Sequence, residues 1–205
     1  MYFSKKIAFS TCLALMSMTA PAYSAPASFT RTQPTACGAT ILFEPTMYQI
    51  FPFDGGKSVP AVSQLQVQRT NNSSMLENIA VFKGIPAGAK TCTLGWVQAA
   101  KAERTDFVVK GSGLLAAQQL SRFPDGDVNW ETVTPIAEEA VDQGLPLLNP
   151  DTTSWPDIET AESHTAGFLD CAETIYLKIG VDHRNHDGSV YLGQNTKNGL
   201  TLKVQ

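Results

Sequence analysis

Apolar side chains recur at every second position along much of this chain, and that spacing limits what it can fold into. In Ile175-Tyr-Leu-Lys-Ile-Gly-Val181, the residues Ile175, Leu177, Ile179 and Val181 fall on one side of an extended backbone. Tyr176 and Lys178 fall on the other. Leu200-Thr-Leu-Lys-Val204 and Leu65-Gln-Val-Gln68 repeat the pattern. Successive strand side chains point to opposite faces, so each run has one apolar face to bury. About nine strand-like runs can be counted, more than the five or six strands of a mean sheet. The expected fold is therefore all-β: a two-sheet antiparallel β-sandwich, jelly-roll-like, each strand buried on one side.

Turn chemistry agrees. Asp187-Gly188 stands between Asp182-His-Arg184 and Ser189-Val-Tyr-Leu192, where Asp-Gly predicts a hairpin. Ala80 to Cys92 reads as strand, Gly/Pro turn, strand. Gly111-Ser-Gly113 reads as a turn, and Leu114–Leu120 as a short helix or the strand after it. Helical periodicity is weak elsewhere; Pro135 to Asp142 has room for one or two turns of helix. From Phe123 to Leu177 there is no Lys or Arg but there are twelve Asp and Glu, with several prolines. This predicts a loop-rich acidic insertion with a solvated surface. The sharper alternative is a docking face for a cationic partner or Ca²⁺.

The first residues read as an address. Lys5 and Lys6 precede the apolar stretch from Ile7 to Met16, and Ala20-Pro-Ala22 and Ala22-Tyr-Ser24 supply small residues. These are the parts of a secretory signal peptide, with cleavage expected after Ser24 and Ala22 or Ala25 as alternatives. The expected organisation is a signal peptide at 1–24, an N-terminal extension with the first strands at 25–57, and the sandwich at 58–205. No run reaches the ~18 apolar residues of a membrane-spanning helix, so no membrane span is expected. The net charge of −4 argues against a nucleic-acid partner. The expected location is extracellular, with possible cell-wall association.

Export also bears on the cysteines. After cleavage Cys37, Cys92 and Cys171 remain. An oxidising compartment favours one disulfide and one leftover thiol. Cys92 lies in a strand-like run and Cys171 just before another, so a Cys92–Cys171 clamp is the first expectation. Either pairing through Cys37 stays open. Asn71-Asn-Ser-Ser74 contains overlapping glycosylation sequons at Asn71 and Asn72, on what reads as an Asn-rich turn.

Candidate chemistry is sparse. Asp125-Gly-Asp-Val-Asn129 has alternating oxygen ligands, but an EF-hand then needs Gly and a Glu at position twelve. Trp130 and Ile136 stand there, so Asp125, Asp127 and Asn129 are weak metal candidates and an acidic turn is the default. His183 and His186 lie three apart in a strand-like stretch, where they would face opposite ways. There is no Gly-x-Ser-x-Gly elbow. No catalytic set and no cofactor are expected. Trp96 sits in a strand and is expected in the core. Trp130 and Trp155 sit in loop-like surroundings and are the ligand-binding candidates, by stacking on sugar rings.

Three segments carry a family resemblance. They are Asn78 to Leu94 with its Gly88-Ala-Lys-Thr-Cys92 stretch, Gly111-Ser-Gly-Leu-Leu115, and Phe168-Leu-Asp-Cys171 leading through Tyr176 to Asn198-Gly-Leu200. Their order resembles the fungal domain family named for the C-terminal domain of a yeast "ubiquitin 3 binding protein", the But family. The resemblance spans about residues 58–204 and is poor over 121–166. The family's Gly-Lys-Thr-Cys is interrupted here by Ala89. The resemblance implies a secreted or surface β-sandwich and favours the Cys92–Cys171 pairing. It carries no catalytic residues. The family name points to a cytosolic ubiquitin-like partner, which an exported chain would not meet. The expected function is a secreted, non-catalytic protein of the fungal surface or extracellular space that binds a cell-wall glycan or a protein partner. The alternative is a secreted glycan hydrolase using acids of the 123–173 stretch.

Overall fold

The computed structural model describes residues 31–34, 38–184 and 186–205; the signal-like segment with Ser24, and Cys37, lie outside these. The first strands are β1 (Arg31–Pro34), β2 (Thr40–Phe43), β3 (Thr46–Ile50), β4 (Leu65–Thr70) and β5 (Ser73–Lys83). There follow β6 (Cys92–Gln98), β7 (Phe107–Gly111) and β8 (Leu115–Leu120). Helix α1 (Trp130–Asp142) precedes β9 (Leu147–Leu148) and β10 (Glu162–Leu169). The last strands are β11 (Thr174–Val181), β12 (Gly188–Leu192) and β13 (Gly199–Val204).

They form two antiparallel sheets. The smaller has the order β1-β2-β13-β6-β10; the larger has the order β7-β12-β4-β5-β11-β8-β9, with β3 also on β5. The chain is thus an all-β, two-sheet antiparallel sandwich, as its alternation predicts. Leu94, Trp96, Leu200 and Leu202 from the small sheet meet Phe82, Leu177, Ile179 and Val190 from the large one in the main core. Strands β2 and β3 enter the two sheets through β13 and β5, so the sandwich begins before residue 58. The Cys92–Cys171 disulfide joins the start of β6 to the crossover between β10 and β11, with the Cα atoms 5.3 Å apart.

Three expectations need correction. The acidic stretch is not only loop, because α1 runs for thirteen residues through its middle. Asn129 caps the helix: its Oδ1 accepts from the Thr132 backbone N–H at 2.9 Å, and Thr132 Oγ1 accepts from the Asn129 N–H at 3.2 Å. At the other end Gly144 (φ +70°) lets the Gly144 and Leu145 N–H groups reach the carbonyls of Val141 and Ala140. That is the Schellman arrangement, for which glycine is the favoured residue. Pro135, in the second turn, lacks an N–H to give the ladder, but its ring lies at the exposed surface and the helix continues through it.

The helix also changes strand burial. Val133, Ile136 and Ala140 pack on Ile50, Ile79, Val81 and Leu120, forming a second core on the outer side of the large sheet. Strand β5 is therefore buried without a break from Leu76 to Phe82, instead of on one side only.

The third correction concerns Asp187-Gly188. Strands β11 and β12 are not neighbours, so this pair does not close a hairpin. Gly188 sits where a Cβ would lie 2.1 Å from the Ser112 carbonyl oxygen, a close approach that only glycine permits. The two-residue hairpin turn is Asn71-Asn72, with φ of +52° and +59°, between β4 and β5. Positive φ at both positions matches strand twist, and Asn tolerates it well.

Beyond that turn β4 and β5 separate, and β3 takes over the β5 edge. Asn78, fully buried, fills the fork: its Oδ1 accepts from the Gln66 N–H at 2.7 Å and its Nδ2 donates to the Tyr48 carbonyl at 3.3 Å.

Candidate functional site

Helix α1 covers only half of the outer side of the large sheet. The other half, formed by β4, β12 and β7, is uncovered. Leu65, Val67, Val190 and Leu192 point into the main core, so the residues alternating with them point outward. These are Gln66 and Gln68, Ser189 and Tyr191, and Val108 and Lys110, and they line a groove of about 230 Å³. It continues at the strand ends into a hollow of about 250 Å³ beside Arg69 and Asp187.

The groove offers amides, a hydroxyl, one phenol ring and one ammonium. Gln66 Oε1 accepts from Gln49 Nε2 at 3.2 Å, and Gln68 Nε2 donates to Thr70 Oγ1 at 3.2 Å. Each amide thus keeps its other polar atom for a ligand, among the described residues. At the far end the Asp187 carboxylate accepts the N–H groups of Asn72 at 2.9 Å and Asn71 at 2.7 Å. Those two bonds hold its carboxyl below the ordinary carboxylate range. The groove is suited to hydrogen bonding and ring stacking with a neutral polar chain; it does not pair a nucleophile with a base.

The two tryptophan candidates do not converge. They lie on opposite faces of the large sheet. Trp130 opens α1, is half-buried and belongs to the helix-side core, with Lys178 Nζ 4.8 Å from its ring centroid. Lys178 is itself ion-paired with Glu77. Trp155 is 1% exposed, between the sheets, so the expectation of an accessible loop aromatic fails. A short 3₁₀ turn (Trp155–Asp157) directs its ring inward. There it meets Phe107 at 4.9 Å, Trp96 at 5.8 Å and His164 at 6.0 Å. Arg104 fastens the turn by donating to the carbonyls of Trp155, at 2.5 Å, and Ile158.

The remaining candidates are dispersed. Asn129 is the helix cap, the Asp127 carbonyl accepts from Thr132 Oγ1 at 2.8 Å, and Asp125 is exposed. Among the described residues no three His, Cys, Asp or Glu are grouped to hold a metal ion. Glu139 pairs with Arg122, and Glu159 with Lys101. His183 and His186 are exposed. Asn71 and Asn72 are exposed at the hairpin tip. No helix among the described residues is long and apolar enough to cross a membrane.

The sequence signal for the groove was the polar side of each alternating run, Gln-x-Gln in β4 and Ser-x-Tyr in β12, which alone reads as ordinary solvent face. None of the protein-family models, curated proteins or solved structures compared with the chain matches it.

Proposed function

We propose that this protein is an exported, non-catalytic β-sandwich that binds a neutral polysaccharide chain along the uncovered side of its large sheet, at a fungal cell wall or in the surrounding medium. One observation carries the proposal: Gln66, Gln68, Ser189 and Tyr191 present amides, a hydroxyl and a phenol in one groove on rigid strands. Sugar hydroxyls pair with amides as donors and acceptors at once, and sugar C–H faces rest on aromatic rings. Building such a site on strands limits the ordering cost of binding. Export is supported by the signal-like residues 1–24 and by the disulfide, which suits an oxidising compartment. Membership of the But family belongs to the same proposal and rests on the motifs at 78–94, 111–115 and 168–200.

Pull-down on insoluble β-glucan, chitin and mannan tests it. Wild-type protein should be retained on at least one polymer, and Tyr191→Ala combined with Gln66→Ala should weaken retention about tenfold or more, equivalent to at least 1.4 kcal/mol. Retention unchanged by the double substitution, or no retention on any polymer, would overturn it.

A further inference from the structure

This fold puts its asparagine side chains to structural use. Asn78 fills the fork beside β3, and Asn129 caps α1. Asn149 donates to the Leu115 carbonyl and the Asp182 carboxylate. Asn195 accepts from the Lys197 and Asn198 N–H groups, and Asn198 accepts from the Ala99 N–H. Among the described residues Asn71 and Asn72 are the exceptions: both are exposed, and neither side-chain amide has a hydrogen-bond partner.

The turn keeps its shape without those two amides. The Asp187 carboxylate accepts the backbone N–H groups of Asn71, at 2.7 Å, and Asn72, at 2.9 Å. Arg69 Nη2 donates to the Asn72 carbonyl at 2.6 Å. The turn is thus fastened through its backbone, and a large substituent on either Nδ2 breaks no bond of the fold. The same two residues are the only asparagines in the chain with Ser or Thr two positions on and no proline between: Ser73 serves Asn71, and Ser74 serves Asn72. Free amide, exposure and acceptor sequence coincide at this one turn.

We propose that the tip of the β4–β5 hairpin carries one N-linked glycan, on Asn71 or Asn72, acquired during export. The inference rests on the export reading and is independent of what the groove binds. The co-reactant is an oligosaccharide joined through its anomeric carbon to a lipid diphosphate. The asparagine Nδ2 bonds to that carbon and loses one proton. The carbon–oxygen bond to the diphosphate breaks, and the lipid diphosphate leaves with the electron pair. Adjacent acceptors crowd each other, so one glycan per chain is expected. It is attached at the end of the large sheet where the groove opens beside Asp187.

The test expresses the full chain in a secreting yeast, once with its own first residues as leader and once with the host's leader fused ahead of it. Digestion with peptide:N-glycosidase should lower the mass by one glycan and convert Asn71 or Asn72 to Asp, read by tandem mass spectrometry of the peptide that follows Arg69. Ser73→Ala and Ser74→Ala should each keep the glycan through the other acceptor sequence. The double variant should lose it with both asparagines, and so the turn, in place. No glycan under the host leader, two glycans on one molecule, or a glycan retained at the tip by the double variant would each overturn the proposal. A glycan gained under the host leader alone supports the acceptor site and overturns the export reading instead.

Discussion

The carboxamide of Gln119 and the backbone of Asp170 hold each other by two hydrogen bonds. Gln119 Nε2 donates to the Asp170 carbonyl at 2.8 Å, and the Asp170 N–H donates to Gln119 Oε1 at 2.9 Å. Gln119 is on β8 of the large sheet, and Asp170 lies in the crossover from β10 to β11, next to Cys171. The pair therefore fixes how the chain leaves one sheet for the other. Gln119→Leu keeps the bulk and loses both bonds. Because Asp170 is exposed, water can replace part of the loss, and urea unfolding should show about 1–2 kcal/mol of destabilisation.

Asn78 should be more sensitive. At the fork between β3 and β4 it serves the Gln66 N–H and the Tyr48 carbonyl from a fully buried position. Asn78→Leu would leave both backbone groups without that partner, so a loss of about 2–4 kcal/mol is expected. Hydrogen exchange should show it locally, with the Gln66 amide losing protection first.

Acid should loosen the loop between β11 and β12. The Asp182 carboxylate, 1% exposed, accepts from Arg184 Nε at 3.0 Å and Nη2 at 2.5 Å, and from Asn149 Nδ2 at 2.8 Å. The Arg184 side-chain bonds are the main cause that holds its pKa below the ordinary value; burial opposes them. Asp187 is shifted the same way by the Asn72 and Asn71 amides. A lowered folded-state pKa contributes stability that is complete above the unfolded value of about 3.9 and is lost as pH falls through the folded value. Thermal melts should be flat in this respect from pH 7 to 5 and fall below about pH 4. In the double variant Asp182→Asn, Asp187→Asn the acid limb should be shallower than in wild type.

The Cys92–Cys171 bridge spans 79 residues of sequence. In the chain-entropy model a loop of that length stabilises by about 4.5 kcal/mol. Cys92→Ala with Cys171→Ala, or reduction of the wild type, should lower the urea midpoint accordingly. An unchanged midpoint under full reduction would show that the bridge does not restrain the unfolded chain.

Much of the sandwich was legible in the sequence because its strands alternate. Ile175, Leu177 and Ile179 do point into the main core, as do Leu200, Leu202 and Val204. In the sequence, Pro135 and the acidic, Lys-free composition mask helix α1, leaving room for only one or two turns. Its signals were present in Asn129 with Thr132 three residues on and in Gly144, the two caps that bound it. Ser-Trp-Pro-Asp is loop-like in composition, and only the tertiary position of Phe107, Trp96 and His164 buries Trp155. The groove lies in residues read as solvent side. What distinguishes Gln66, Tyr191 and Lys110 is that β4, β12 and β7 are neighbours while α1 stops short of them, and sheet order is not written in any local pattern.

The partial reach of α1 also sets a ruler. Three uncovered strands at the usual spacing of about 4.8 Å give a crosswise width of about 14 Å before the helix-covered half begins. An occupant lying across them reaches the helix-covered half at β5 on one side and the open sheet edge at β7 on the other, so a polymer gains further contact with these strands only by running along them.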